Sequence, residues 1–192
     1  MADSPRILVV AATERELAAS DGWIAVRCGV GPVEAAAATA AAIALHRPHA
    51  VLHVGIAGAR RASGIVPPEL VIGSEARYCD LGGPSKWAPN SVVPSAVLLA
   101  AAQRVLPTAR TLTIGTSARV GGTSDCDVEA MEGFAVLRAA ELAGVPAIEI
   151  RAISNAIEEH DRARWRFDDA FAAITAATPR LVAEIAAAQS TA

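Results

Sequence analysis

Four points along the chain, three with polar side chains and one a glycine-containing turn, each follow an apolar run. Glu16 comes after Ile7–Ala12, the glycine-containing Ile56-Ala57-Gly58 after His49–Gly55, Glu132 after an apolar turn, and Ser154-Asn155 after Val145–Ile153. In open parallel sheets the ligand crevice lies outside the carboxyl ends of the strands. Two carboxylates, a hydroxyl and an amide gathered there would offer a small ligand both proton acceptors and hydrogen-bond partners. Taken singly, the same residues suit caps and turns equally well. The pattern leaves both readings open.

Other chemistries are less well supported. Gly29-Val30-Gly31 sits between a strand and a helix, as a dinucleotide-binding turn would, but Glu34 stands where the third glycine belongs. A carboxylate there would repel a pyrophosphate. The chain has no GxxxxGK[ST], HExxH or GxSxG segment. Cys28, Cys79 and Cys126 are odd in number and widely spaced, which argues for reduced thiols over a disulfide scaffold or a zinc site. The net charge of −3 gives no basic field for nucleic acid or an anionic membrane. No apolar run reaches the ~18 residues of a membrane span. The N-terminus lacks the layout of a signal peptide, so the expected setting is cytoplasmic.

The elements that must position these residues alternate in type. Ile7–Ala12 is short, β-branched and apolar on both faces, as a buried parallel strand requires. Thr13 is placed to cap a helix beginning at Glu14, with Glu14 and Glu16 at its positive end. Further strands are expected over Ile24–Cys28, His49–Gly55, Glu69–Ala76, Thr111–Gly115 and Val145–Ile153. Helices are expected over Val33–His46, Pro94–Val105, Glu129–Ala143 and Phe167–Ala188, with loops at Gly82–Pro94 and Gly121–Asp127. Such alternation predicts a three-layer α/β/α sandwich around a largely parallel central sheet, and 192 residues without a linker make one domain over 1–192.

The segments Val9–Leu17 (VVAATEREL), Gly29–Pro32 (GVGP), Val54–Gly58 (VGIAG), Ser74–Asp80 (SEARYCD), Glu129–Gly133 (EAMEG) and Arg151–Asn155 (RAISN) occur in an order and spacing that resembles the purine nucleoside phosphorylase/nucleosidase superfamily. Within it the chain is similar to the methylthioadenosine/S-adenosylhomocysteine nucleosidases, and most of all to the futalosine hydrolases of the menaquinone pathway, through MEG…RAISN…WRFDDAF. The resemblance spans nearly the whole chain. It implies a twisted mixed sheet and cleavage of a purine–ribose C1′–N9 bond through an oxocarbenium-like transition state. No metal or organic cofactor is implied. The implied partners are a purine nucleoside and further copies of the chain, as a homodimer or higher homo-oligomer.

Roles then follow residue by residue from the resemblance. Glu132 matches the glutamate that accepts hydrogen bonds from the ribose 2′- and 3′-hydroxyls, with Met131 under the sugar. Glu16, in preference to Glu14, matches the general base that deprotonates water. Ile56, Ala57, Gly58 and Ser154 border the substrate. Phe167 matches an aromatic near base and sugar, and Trp165 and Phe134 are further aromatic candidates, although all three suit a plain core. Arg77 and Asp80 read as a structural ion pair.

Three departures are informative. Adenine-acting nucleosidases carry aspartate where this chain has Asn155. An amide cannot transfer a proton at neutral pH but can donate to N7 or O6, which favours a 6-oxopurine such as hypoxanthine. Phosphorylases of this fold hold phosphate with an arginine and a serine where this chain has His53 and Ile56, so water is the expected nucleophile, with Arg60 and Arg61 the remaining phosphate candidates. The segment Gly121–Val128 is shorter than in relatives, which bears on base recognition. Arg162, Arg164 and Arg166 could offer charge to a benzoate-bearing C5′ chain or form an ordinary solvated run. Action on methylthioadenosine, or nucleoside binding without turnover, are the alternatives to futalosine hydrolysis.

Overall fold

The computed structural model describes residues 5–81 and 88–190. Eight strands run β1 (Ile7–Ala11), β2 (Ile24–Arg27), β3 (Ala50–Ala59), β4 (Leu70–Tyr78), β5 (Ser91–Val92), β6 (Arg110–Thr116), β7 (Val128–Ala130) and β8 (Ala147–Ala156). Four helices, α1 (Pro32–His46), α2 (Ala96–Val105), α3 (Gly133–Leu142) and α4 (Phe167–Ser190), lie among them.

Alternation along the strands creates the layers. Successive side chains of a strand point to opposite faces. Ile7 and Val9 therefore join Leu52, Ile148, Leu98, Ile174 and Leu181 under α2 and α4. Leu8 and Val10 join Val51, Ala35, Ile43, Val136 and Leu137 under α1 and α3. The result is the α/β/α arrangement expected from the sequence.

The sheet is mixed. Strand β1 pairs in parallel with β2 and β3, β3 with β8, β4 with β6, and β6 with β7. Strand β8 is antiparallel to β4, as are β7 to β3 and β5 to β4. These pairings close β3, β8, β4, β6 and β7 into a ring, filled by Ala57, Ile65, Val71, Ile114, Val128 and Ile153. Alternation of helix and strand in the sequence carries no signal for this closure.

Several boundaries differ from the sequence expectation. Thr13 leads into a single 3₁₀ turn, Glu14–Glu16, because the Glu16 side chain folds back onto Thr13 and no helix continues. Strand β3 runs on to Ala59 and β8 to Ala156, so Ile56-Ala57-Gly58 and Ser154-Asn155 lie inside paired strands instead of after them. A bulge between Ala57 and Gly58 shifts the register there. Residues 128–130 form a strand, since their backbone pairs with both β3 and β6, and the helix starts only at Gly133. The loop expected over Gly82–Pro94 falls partly on residues 82–87, outside the described residues, and Ser91–Val92 pair with β4. Helix α4, 24 residues, is long and apolar enough by length and mean composition to cross a membrane, although Arg180 and Glu184 interrupt its apolar sequence. Here its buried stripe of Ala170, Ile174, Leu181 and Ile185 is committed to the core.

Candidate active site

The carboxyl end of β1 delivers the first acid. The Thr13 N–H and hydroxyl both donate to Glu16 Oε2 at 2.8 Å, and the Ile56 N–H donates to Oε1 at 3.0 Å. A carboxylate has about four lone-pair sites. Three are occupied, which fixes the group and leaves one. Glu14, the competing acid, is exposed and pairs with Arg27 at 3.5 Å.

The second acid stands at the N-terminus of α3. Glu132 accepts the Gly31 N–H on Oε1 at 3.1 Å and Arg151 Nη2 on Oε2 at 3.3 Å. Gly31 reaches it in the left-handed region, with φ 95°, where a side chain would be strained. Burial pushes the Glu132 carboxyl up, while Arg151 and the Gly31 amide pull it back.

Beneath both acids lies a buried ionic hub. Arg151 is wholly buried and donates from Nε to Glu149 Oε1 at 2.7 Å, and from Nη1 to the Ile56 carbonyl at 3.4 Å. Its Nη2 also meets His53 Nε2 at 2.5 Å. Arginine only donates, so His53 Nε2 is the acceptor and its Nδ1 carries the hydrogen directed at the Val10 carbonyl, 2.9 Å away. Burial and Arg151 together hold His53 well below the usual histidine range, so it is neutral. Burial raises Glu149, against the pull of Arg151. Burial works against the charge on Arg151, but Glu149 and Glu132 more than offset this, and its pKa is raised. Glycines make room for the hub. A Cβ on Gly55 would collide with Arg151 and lie 2.9 Å from Glu16 Oε1, and one on Gly133 would collide with Glu149.

Above this floor is a cavity of about 250 Å³. The residues expected to be catalytic or to touch the substrate all line it: Glu16, Ile56, Ala57, Gly58, Met131, Glu132, Ser154, Asn155 and Phe167. Asn155 Oδ1 is 2.7 Å from the Ser154 hydroxyl, which also reaches the Ala57 carbonyl at 3.2 Å. Asn155 Nδ2 gives one hydrogen to the Ala156 carbonyl at 2.9 Å and retains a second. An aromatic run forms one wall, with Trp165 and Phe167 ring centroids 5.3 Å apart and Phe167 and Phe171 6.1 Å apart. Phe134 instead stacks on Tyr78 at 5.3 Å and is not among the residues lining the cavity.

Some lining residues went unremarked in the sequence. Phe171 follows Phe167 by four positions, the spacing that puts two residues on one helix face, and this was the available signal. Glu129 faces the cavity but is engaged: it accepts the N–H groups of Gly122, Thr123 and Ser124 and the Ser124 hydroxyl, with Arg60 3.6 Å away. This clasp shapes the short segment, whose first residue Gly121 lines the cavity together with the preceding Arg119 and Val120. Arg60 is occupied by the Ser124 and Cys126 carbonyls, and Arg61 by Glu158 and Glu159, so neither lines the cavity. Arg77 pairs with Glu75 and Asp125, while Asp80 takes the Ser117 hydroxyl and the Ala118 N–H, so the expected Arg77–Asp80 pair is replaced by two separate contacts. Among the described residues, no group of three or more His, Cys, Asp or Glu is arranged to hold a metal ion.

The model of a family described as "Phosphorylase superfamily" matches residues 19–187. The chain belongs to the phosphorylase superfamily. Two curated superfamily relatives are futalosine hydrolases: that of Streptomyces coelicolor, 35% identical over 84% of this chain and 79% of its own, and that of Thermus thermophilus, 31% identical over 85% and 82%. Among solved superfamily structures, a methylthioadenosine/S-adenosylhomocysteine nucleosidase from Colwellia psychrerythraea with adenine bound aligns with a TM-score of 0.81 at 21% identity, covering 97% of this chain and 96% of that one. Futalosine hydrolase of Helicobacter pylori aligns at 0.80 and 15%, covering 95% and 97%. The two solved enzymes share one superfamily fold, so the fold alone does not select between their substrates.

Proposed function

We propose that this protein is a purine nucleosidase that hydrolyses futalosine to dehypoxanthine futalosine and hypoxanthine. The observation that carries the reading is the convergence of Glu16, Glu132 and Asn155 on one cavity walled by aromatic and aliphatic groups. The futalosine hydrolase relatives at 35% and 31% identity support the substrate.

In this reading Glu132 accepts the ribose 2′- and 3′-hydroxyls and supplies negative charge to a sugar that becomes cationic. Met131 packs beneath the sugar. The remaining lone pair of Glu16 accepts a proton from water, whose oxygen bonds to C1′ as the C1′–N9 bond breaks. The second Asn155 amide hydrogen donates to N7 or O6, and hypoxanthine leaves with a proton taken from solvent. Asn155 stabilises the leaving group by hydrogen bonding alone, which suits a 6-oxopurine. Water is the nucleophile because Ile56 is apolar, His53 is neutral and buried, and Arg60 and Arg61 are engaged elsewhere. A cytoplasmic setting accords with free Cys28, Cys79 and Cys126. Self-association as a homodimer or higher homo-oligomer is supported by Val30 and Val33, which are 57% and 77% exposed at and beside the cavity edge.

The test is release of hypoxanthine from futalosine in phosphate-free buffer, with methylthioadenosine in parallel. Release from futalosine without phosphate is expected. Release only on adding phosphate would make the protein a phosphorylase, and preferential release of adenine from methylthioadenosine would move the assignment to that nucleosidase.

A further inference from the structure

The arginines divide sharply by what their guanidinium groups meet. Among the described residues, Arg47, Arg119 and Arg162 are those whose guanidinium has neither an ion-pair nor a hydrogen-bond partner, and two of the three line the cavity. Of the charged run near the start of α4, Arg164 pairs with Glu159 and Asp161, and Arg166 with Asp169 and the Pro67 carbonyl. Only Arg162 of that run turns to the cavity. Its guanidinium lies 5.2 Å from the Trp165 ring, and Trp165 is itself held by its Nε1–H on the Glu159 carbonyl at 2.9 Å. Arg119 comes from elsewhere in the sequence, just before the residues Gly122–Ser124 that Glu129 clasps.

The cavity therefore has a charge gradient. Its floor carries Glu16 and Glu132, and its rim carries two cations whose charge is not neutralised. An anionic group on a ligand is repelled from the floor and drawn to the rim, which fixes which end of the ligand enters first. Stacking on Trp165 restricts the Arg162 side chain, so less entropy is lost when it binds.

We propose that Arg119 and Arg162 form a carboxylate-binding subsite at the cavity rim, which selects purine nucleosides with an anionic C5′ substituent over neutral ones. The proposal rests on the nucleosidase reading above and assigns the determinant of its selectivity. It commits to an oxyanion carried by the nucleoside; the other source of the same chemistry is free inorganic phosphate.

The experiment measures kcat/KM for hypoxanthine release from futalosine, from its methyl ester and from inosine, with the wild-type protein and with Arg119→Gln, Arg162→Gln and the double variant. Wild type is expected to prefer the acid over the ester by about 10-fold to 100-fold, as charge-assisted hydrogen bonds do. The preference should shrink as salt rises. It should fall toward 1 in the double variant, mostly through KM, and survive in part in Arg162→Lys. Equal rates on acid and ester by the wild type would overturn the subsite while leaving the nucleosidase intact, and this arm needs no variant to fold. An acid preference that persists in the double variant would also overturn it. Phosphate-dependent release from inosine, lost in the variants, would assign the arginines to a phosphate nucleophile instead. No release from any of the three substrates would refute the nucleosidase reading and the subsite with it.

Discussion

The floor and the rim of the cavity are built on opposite terms. On the floor, Glu16 is held by Thr13 and the Ile56 N–H and Glu132 by the Gly31 N–H and Arg151, while Arg151 on β8 also engages Glu149 and His53 on β3. At the rim, Arg119 and Arg162 stand on short turns, exposed and unpaired. A buried charge must be compensated in place, because its desolvation is otherwise too costly. An exposed arginine carries no such obligation and can wait for a ligand. Chemistry that needs fixed geometry therefore uses side chains pinned by backbone N–H groups and a buried arginine, and selectivity that needs an unsatisfied charge uses exposed side chains left unpaired.

The contrast can be broken at several points. The largest effect is expected from Glu16→Gln, which should lower kcat for hypoxanthine release by ~10²–10⁴-fold; Tm should fall as well, because the amide nitrogen must face a donor from Thr13 or Ile56, and an unchanged rate removes Glu16 as the base. Next is Arg151→Met, which leaves Glu149 and Glu132 buried without a counter-charge. It should cost about 3–5 kcal/mol of stability, read by urea unfolding, and a loss under 1 kcal/mol would show that the hub is not electrostatically coupled.

A pH series sharpens the same point. Glu149 is raised above its ordinary value of 4.5 by burial. Below 4.5 it is protonated in both folded and unfolded chains, and above that the unfolded chain ionises first. Stability from this group is therefore present at low pH and lost as pH rises through the folded value. Glu149→Gln should lose less stability than wild type between pH 5 and 8, and parallel Tm curves would contradict the assignment. The smallest effect concerns Cys28, whose thiol burial pushes up to about 12. In the folded protein at pH 8 a thiol reagent should label Cys79 well before Cys28, and equal rates would mean that the buried turn after β2 opens to solvent.

Much of this arrangement is legible before folding. The apolar runs, their alternation with alanine-rich helices and the capping residue Thr13 are local signals, so the layers can be read from the chain. The acids Glu16 and Glu132 and the amide Asn155 lie in short motifs and could be singled out by type and position. Arg151 stands in the same RAISN run as Asn155 and two residues from Glu149 on the same strand, yet its part in the site is invisible in the sequence, because its link to Glu132 and His53 joins different elements.

What the sequence alone determined is the inventory: which elements form, which faces are apolar, and which side chains could accept or donate a proton. Tertiary structure decided the rest. It closed the β3–β8–β4–β6–β7 ring, extended β3 and β8 past their expected ends, used up Arg60 on the Ser124 and Cys126 carbonyls, joined Arg151 to Glu132, and left Arg119 and Arg162 facing the cavity. The physical reason is that strand pairing and charge pairing depend on neighbours distant in sequence, whereas propensity and periodicity are properties of a few adjacent residues.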